Sequence, residues 1–183
     1  MIQVYLTNLG KYNNEGCLIG KFIKLPIKEE HFEKALKEIG IDGVEYEEYF
    51  ITDVESDISG LSEVITEYTS IKALNELAER LEKLSESDAD KLSAVLESER
   101  KSSITDILDT IDNLDNWSLY ADVNDEKELG YYYADEMSAI TIPDNIKPYF
   151  DYEAYGRDLT MSLSCCFTSY GLVVDYSWKN YYF

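Results

Sequence analysis

Acidic side chains dominate the stretch from Asp42 to Glu67, "DGVEYEEYFITDVESDISGLSEVITE", which holds nine Asp or Glu residues and no Lys, Arg or His. Protein surfaces ordinarily mix charges of both signs, because clustered like charges repel one another and destabilise the fold. A second acidic block runs from Asp106 to Asp144 and holds eleven acids with Lys127 as its only base. These two blocks are the residues whose chemistry needs an explanation.

Metal binding is one chemistry that regularly spaced carboxylates could support. Asp106, Asp109, Asp112 and Asp115 recur at every third residue. On a helix that turns by about 100° per residue, steps of three place the carboxylates along a spiral stripe, whereas a metal site needs ligands that converge on one point. The stretch "DTIDNLDNW" also lacks the central glycine of an EF-hand loop. The spacing therefore favours a long charged surface over a metal site.

Catalytic groups are few. The adjacent Glu47 and Glu48 could serve acid–base chemistry, but among 37 acidic residues such pairs are expected by chance. His31 is the only histidine and lies among glutamates, so we interpret it as a surface residue that leaves little room for a Ser-His or Cys-His arrangement. The three cysteines are Cys17, Cys165 and Cys166. Their odd number and spacing predict neither a disulfide framework nor a redox pair, and one of the adjacent two is expected to face the core. We assign no catalytic residue, metal or cofactor.

The composition describes a folded and strongly anionic chain. Its 183 residues carry a net charge of -21, and apolar and aromatic residues make up 45% and 13% of the sequence. Such a chain can build a core, and its charge argues against nucleic acid or an anionic membrane as a partner and in favour of a cationic one. The charge matches that of about 36 Å of duplex DNA. The opening residues do not resemble a secretory signal and no apolar run is long enough to span a bilayer, so a cytoplasmic protein is expected.

The elements that would position these acids follow from apolar periodicity. We predict two strands, "IQVYLT" and "CLIGKFIKL", joined by a turn in "NLGKYNNEG", then a helix in "KEEHFEKALKEIG" ended by Gly40 and a third strand in "EEYFITD". The middle of the chain predicts three amphipathic helices. The first is capped by Ser70, the second by a Ser87–Asp90 capping box, and the third covers "SSITDILDTIDNLDNW".

The last third of the chain mixes both element types. "DEKELGYYYADEM" predicts a helix, "IPDNIKPYF" a short helical turn with a break, and "DYEAYGRDL" a helix capped by Asp151. "TMSLSCCFT" and "LVVDYSW" predict strands joined by a hairpin turn at "SYG". The fold class expected is α+β, as an α/β domain over residues 1–60, a helical domain over 61–101 and an α+β domain over 102–183. At least one residue of Tyr131–Tyr133 should be exposed or at an interface, because three consecutive side chains cannot share one helix face.

Four segments in this order resemble the ArdA family of antirestriction proteins. They are "VYLTNLGKYNNEGCLIGKFIKLPI", "EYEEYFITDVE", "EYTSIKALNEL" and "FDYEAYGRDL". The resemblance covers nearly the whole chain. Two places depart from it: the tail "VVDYSWKNYYF" is aromatic, and "ISGLSEVITEY" is longer than expected at the first domain junction.

The resemblance implies a function that composition could not show. Members of the family are carried by conjugative plasmids and transposons, mimic bent B-form DNA, and occupy the DNA-binding groove of type I restriction–modification enzymes. The family fold is elongated, with three small domains in a row and a homodimer formed through the C-terminal domains, so residues 102–183 are expected to dimerise. The family supplies no catalytic residues.

The candidate partner-binding carboxylates come from this chain's own two acidic blocks. They are Asp42, Glu45, Glu47, Glu48, Asp53, Glu55, Asp57, Glu63, Glu67, Asp106, Asp109, Asp112, Asp115, Asp122, Asp125, Glu126, Glu128, Asp135 and Glu136. Two alternatives stay open from the residues: an acidic metal-dependent hydrolase, and a DNA mimic directed at another DNA-binding protein, such as a nucleoid protein or a CRISPR effector.

Overall fold

The structure is a computed structural model that describes residues 1–177, and within them it forms seven α-helices and two three-stranded sheets. The strands are β1 (Ile2–Asn8), β2 (Gly20–Leu25), β3 (Tyr49–Ser56), β4 (Trp117–Tyr120), β5 (Cys165–Thr168) and β6 (Gly171–Asp175). The α-helices are α1 (Leu9–Glu15), α2 (Glu29–Glu38), α3 (Ile71–Leu81), α4 (Glu86–Ser98), α5 (Ile104–Asp112), α6 (Glu126–Tyr131) and α7 (Tyr152–Ser162). The mixed α+β class expected from the sequence is confirmed.

The chain divides into two compact units. The first unit comprises Met1–Ala89 and Lys101–Asp112, and the second comprises Asp90–Arg100 and the residues from Asn113 onward, so α4 crosses the boundary between them. The sequence of the first unit carries 22 acids and 10 bases, and that of the second 15 acids and 6 bases, which gives net charges of -12 and -9. Each unit is therefore anionic on its own. The division into three domains stays a prediction.

The sheet of the first unit has the order β2-β1-β3, with β1 antiparallel to both neighbours. Alternate residues of the central strand, Ile2, Val4 and Leu6, are fully buried. Their neighbours across the sheet include Ile23 and Ile51, which are also buried. This period of two places one face of the sheet against the core and leaves the other face to solvent.

The connection between β1 and β2 differs from the predicted turn, because it contains the helix α1. Asn8 caps this helix: its side-chain oxygen accepts the backbone N–H of Lys11 at 2.9 Å, and its amide nitrogen donates to the carbonyl of Ile39 at 3.2 Å. Gly16 ends the helix at a φ of 67°, with its N–H bonded to the carbonyl of Tyr12 at 2.9 Å. Asn and Gly residues suit helix caps as well as turns, which is why the local pattern was misleading.

Helices α2 and α3 occupy the predicted positions. Gly40, at a φ of 84°, follows the last turn of α2 as expected. Ser70 is the N-cap residue of α3, although its side chain makes no capping hydrogen bond. Asn75 of α3 binds both backbone groups of Ile27, since its amide oxygen accepts the N–H at 2.9 Å and its amide nitrogen donates to the carbonyl at 2.9 Å. These two hydrogen bonds anchor α3 to the segment that follows β2.

Three predicted boundaries are wrong. Ser85, not Ser87, caps α4, because the Ser85 hydroxyl accepts the backbone N–H of Asp88 at 3.1 Å and Ser87 already lies in the first turn. Helix α5 ends at Asp112, and Asp115 lies in a 3₁₀ turn ahead of β4. Helix α7 extends through residues 160–162, which were predicted as strand. In each case the element was predicted and only its boundary was misplaced.

The second unit packs its sheet, of order β4-β6-β5, over a small apolar core. The buried residues of this core are Val123, Leu129, Leu172 and Val174. Cys165 packs against them half-buried, whereas Cys166 is exposed, as expected for adjacent residues of a strand. Glu97 of α4 binds the β5–β6 hairpin by accepting the backbone N–H of Ser169 at 2.9 Å and its hydroxyl at 2.6 Å. The hairpin predicted at residues 169–171 is confirmed.

Helices α6 and α7 approach each other at two buried glycines. Asp125 and Asp151 cap the two helices, so both predicted helices are confirmed. A Cβ on Gly156 would lie 1.6 Å from the carbonyl oxygen of Glu126, and a Cβ on Gly130 would lie 1.9 Å from the carbonyl oxygen of Tyr152. Both distances are far inside van der Waals contact, so only glycine permits this crossing.

Among residues 1–177, no helix combines the length and the apolar character needed to cross a bilayer. The part of the aromatic tail from residue 178 onward lies outside the described residues.

Candidate partner-binding surface

The nineteen candidate carboxylates all lie at the surface. Sixteen are exposed, and Asp106, Glu126 and Asp135 are half-buried. Twelve of them, from Asp42 to Asp112, belong to the first unit, and seven, from Asp115 to Glu136, belong to the second. The second acidic block is therefore divided between the units, and the predicted spiral stripe keeps three of its four aspartates on α5.

Strand β3 presents its carboxylates on one face. A bulge between the β1 partners at Tyr5 and Leu6 shifts the register, and after it Asp53 and Glu55 are exposed while Val54 and Ser56 are half-buried. Residues two apart on a strand are separated by about 6.8 Å, which is also the axial length of about two base-pair steps of B-DNA. The strand therefore spaces its acids at an interval that a duplex also contains.

We group five exposed acids of β3 and of the segment leading into it as the edge-strand acids. They are Glu45, Glu47, Glu48, Asp53 and Glu55. None of the five forms an ion pair within residues 1–177. Their charge is therefore not neutralised by a neighbouring cation of the described chain.

Both lysines in the strands of the first sheet, Lys21 and Lys24, lie on β2, the edge opposite β3. Lys24 of β2, Gln3 of β1 and Glu55 of β3 form one row across the three strands. With neighbouring strands about 4.8 Å apart, the cationic and anionic ends of this row are about 9.6 Å apart. Lys21, also of β2, pairs with Glu38 of α2. The sheet thus separates its lysines from its edge-strand acids, which strengthens the negative field on the β3 side.

Several candidate acids have structural partners. Asp57 pairs with the terminal ammonium of Met1 at 2.8 Å, Asp112 with Arg80 at 2.5 Å, and Asp135 with Lys147 at 2.5 Å. Asp125 accepts the backbone N–H of Glu128 at 2.8 Å, and the Glu128 carboxylate accepts the N–H of Asn124 at 2.7 Å. These acids stabilise the units locally as well as adding to the surface charge.

Backbone hydrogen bonds hold Asp42 in its ionised form. Its Oδ1 accepts three backbone N–H groups, from Tyr46 at 3.0 Å, Val44 at 2.9 Å and Glu45 at 2.9 Å, and these bonds lower the pKa of the carboxyl group. Asp106 is similar: its Oδ2 accepts the hydroxyl of Ser102 at 2.8 Å and the backbone N–H of Ser102 at 3.1 Å, and hydrogen bonding with Ser102 and Ser103 lowers the pKa of the carboxyl group. Both carboxylates, in their ionised form, therefore stabilise the nearby backbone by accepting its hydrogen bonds.

The lowered pKa values predict a dependence of stability on pH. A carboxyl group with a depressed folded-state pKa stabilises the fold above its unfolded pKa, about 3.9 for Asp, and this stabilisation is lost as the pH falls through the folded value. We expect the Tm to decrease as the pH is lowered below about 4. We expect Asp42→Asn and Asp106→Asn to have a lower Tm than wild type at pH 7 and a smaller decrease of Tm at acid pH. Circular dichroism melting from pH 2 to pH 7 measures this. Glu47→Gln, a change at an exposed carboxylate, is the matched control, and an unchanged profile in Asp42→Asn would contradict the assignment.

Other chemistries find little support in the described part of the chain. Within residues 1–177, no three His, Cys, Asp or Glu side chains come close enough to hold a metal ion. His31 is exposed, as predicted from its acidic helix. The candidate carboxylates of the described chain lie at the surface of both units.

A cavity in the second unit contains residues that the sequence analysis did not select. It has a volume of about 590 Å³, and tyrosines 120, 131, 132 and 152 line it together with Asp122 and Glu136. Asp122 and Glu136 were already candidate acids, whereas the run Tyr131–Tyr133 was the only sequence signal for the tyrosines. Tyr131 is 51% exposed, as that run predicted. Tyr120 and Tyr152 come from other elements, so only the fold could bring them here.

Comparison with known proteins now identifies the family. The family model for the antirestriction protein (ArdA) matches residues 4–174, which include almost all of both units, and the chain belongs to this family. None of the curated proteins matches the chain. The resemblance seen in the four sequence segments is confirmed, and with it the assignment to a family of antirestriction proteins.

Proposed function

We propose that this protein inhibits type I restriction–modification enzymes by occupying their DNA-binding groove as a mimic of B-form DNA. Membership of the antirestriction family supports the class of target. The observation that carries the mimicry is the surface location of all nineteen candidate acids, sixteen of them exposed, on two units that are each strongly anionic. A groove lined with Lys and Arg recognises such a surface as it recognises phosphates.

The mechanism has two physical parts. Opposite fields on the two surfaces steer the encounter and raise the association rate. Counterions held at both surfaces are then released on contact, by analogy with protein–DNA binding, so that affinity falls as salt rises. The inhibitor acts as a competitor and needs neither catalytic residues nor a metal ion.

Assembly and location belong to the same proposal. The target meets incoming DNA in the cytoplasm, where the inhibitor would have to act. A homodimer formed through residues 102–183 would present twice the charge of one chain, and so the charge of a longer duplex.

The test is a competition experiment at several salt concentrations. A type I enzyme bound to a fluorescent unmodified duplex is titrated with the protein in buffer containing EDTA, from 50 to 300 mM NaCl. We expect displacement of the duplex, relief by excess unlabelled duplex, and a negative slope of log affinity against log salt. Poly-glutamate of equal total charge is the control for charge without shape, and it should displace the duplex less well at every salt concentration.

Three outcomes would overturn this function. Displacement that is insensitive to salt would exclude the electrostatic mechanism. Cleavage of DNA by the protein alone in Mg²⁺, lost on adding EDTA, would favour a metal-dependent hydrolase. Displacement of duplex from an unrelated nucleoid protein, with none from the restriction enzyme, would keep the mimicry and change the target.

A further inference from the structure

The cavity of the second unit has four aromatic walls contributed by four different elements. Tyr120 comes from β4, Tyr131 from the end of α6, Tyr132 from the π-helical turn that follows, and Tyr152 from the start of α7. The rings form two pairs, with centroids 5.1 Å apart for Tyr120–Tyr132 and 5.6 Å for Tyr131–Tyr152. The space of about 590 Å³ between the walls is large enough for a side chain of a partner.

Two of the rings are held in place by their hydroxyl groups. The Tyr152 hydroxyl donates to Asp135 Oδ2 at 2.5 Å, and the Tyr120 hydroxyl lies 3.2 Å from that of Tyr176. Burial, together with the hydrogen bond to Tyr176, raises the pKa of Tyr120 to about 12, so this ring stays a neutral phenol. These two rings are therefore preorganised, and Tyr120 lines the cavity as a neutral ring and not as a phenolate.

The lining is also negatively charged. Four carboxylates and one ammonium group, that of Lys127, give it a net charge of -3. Two of the carboxylates belong to the cap of α6. The carboxylates of Asp122 and Glu136 have no hydrogen bond or ion pair within residues 1–177, so they are available to a ligand.

Tyrosine faces and free carboxylates together are suited to an organic cation. The ring quadrupole attracts a cation placed over its face, and a guanidinium group can also stack flat on a ring and bind a carboxylate through two parallel N–H bonds. We propose that this cavity binds the guanidinium group of an arginine side chain supplied by the protein partner. The source of the arginine rests on the proposed function, in which the partner is a DNA-binding protein with a cationic groove.

The first test uses the protein alone and a small probe. We expect n-butylguanidinium to shift the ring resonances of Tyr131 and Tyr132 in NMR spectra. The shift should reach a plateau as the concentration of the probe rises. The ammonium analogue n-butylammonium should bind at least about 3-fold more weakly, and the neutral isostere n-butylurea should not bind. Equal binding of n-butylurea would overturn the site, because it would show an apolar cavity without cation recognition.

Variants locate the probe. Tyr131→Ala and Glu136→Gln, both at exposed positions, are expected to weaken n-butylguanidinium binding by about 3- to 30-fold. Tyr149→Ala and Asp144→Asn are matched controls, because both residues are exposed and neither lines the cavity. Far-ultraviolet circular dichroism checks that each variant is folded. Wild-type affinity in both cavity variants would overturn the proposal.

A second readout separates this inference from the proposed function. If a partner arginine occupies the cavity, Tyr131→Ala should also weaken duplex displacement by about 3-fold or more. If the wild-type protein binds n-butylguanidinium but Tyr131→Ala displaces the duplex as well as wild type does, an arginine is not the occupant of the cavity. Salt-insensitive displacement with intact guanidinium binding would instead overturn the DNA-mimic function and leave the cation site standing.

Discussion

Conversion of the five edge-strand acids to their amides is expected to weaken inhibition of a type I enzyme by about 100-fold at 0.1 M salt. Each phosphate-like contact contributes about 0.9 to the slope of log affinity against log salt, which is about 8-fold at 0.1 M relative to 1 M. Engagement of two of the five residues gives about 64-fold and of three about 500-fold, so a loss of about 100-fold corresponds to just over two contacts, and the slope should fall by about 2. The duplex-displacement assay measures both quantities.

The matched control removes the same charge from another part of the first unit. It converts five other exposed glutamates, from helices α2 and α3, to glutamine: Glu29, Glu30, Glu33, Glu76 and Glu79. Both variants have a net charge of -16 and should keep their Tm, because loss of like-charge repulsion offsets any lost contact. Equal loss in both would show that total charge matters and position does not. No loss in either would contradict the DNA-mimic mechanism.

Gly156→Ala is expected to destabilise the second unit by about 3 kcal/mol or more. In an open helix this change would stabilise by about 1 kcal/mol, because alanine has the higher helix propensity. Here the added Cβ would lie 1.6 Å from the carbonyl oxygen of Glu126, and that atom belongs to backbone that cannot rotate away. The helices α6 and α7 must either bear the strain of overpacking or move apart and lose packing contacts, and both destabilise the unit. The expected sign is thus opposite to that of helix propensity.

Chemical denaturation, followed by tyrosine fluorescence and circular dichroism, measures the effect. Met161→Ala is the control, because it introduces alanine at an exposed position of the same helix and should change stability by less than about 0.5 kcal/mol. Gly130→Ala, whose Cβ would lie 1.9 Å from the carbonyl oxygen of Tyr152, should behave like Gly156→Ala. A Gly156→Ala protein more stable than wild type would show that the helices do not approach as closely as described.

Periodic apolar residues made most of the elements predictable. Helix α3 is an example, since Ile71, Leu74 and Leu77 are all buried at the spacing that predicted them. Asp151 was predicted correctly as a helix cap, because a side-chain oxygen that accepts the N–H of N3 is a local interaction. Both kinds of signal are contained in a few consecutive residues.

Features that depend on distant residues were not predictable. Asn8 caps α1 where a turn was expected, and its side chain is held by Ile39, which is 31 residues away. The opposed edges of the first sheet follow from its strand order, since Lys24 and Glu55 are separated by Gln3 of the central strand. The aromatic cavity likewise needs Tyr120 and Tyr152 to meet across the second unit.

By itself, the sequence determined that the chain is folded, strongly anionic, of mixed α+β class and similar to antirestriction proteins, because composition, periodicity and sequence resemblance need no knowledge of distant contacts. Only the tertiary structure decided which carboxylates are bound into caps and ion pairs and which are left to solvent. It also decided that tyrosines from four elements surround one cavity. The physical reason is that hydrogen bonds, strand register and helix crossings join residues that are far apart in the chain. A local pattern of residues does not indicate which distant residues will come into contact.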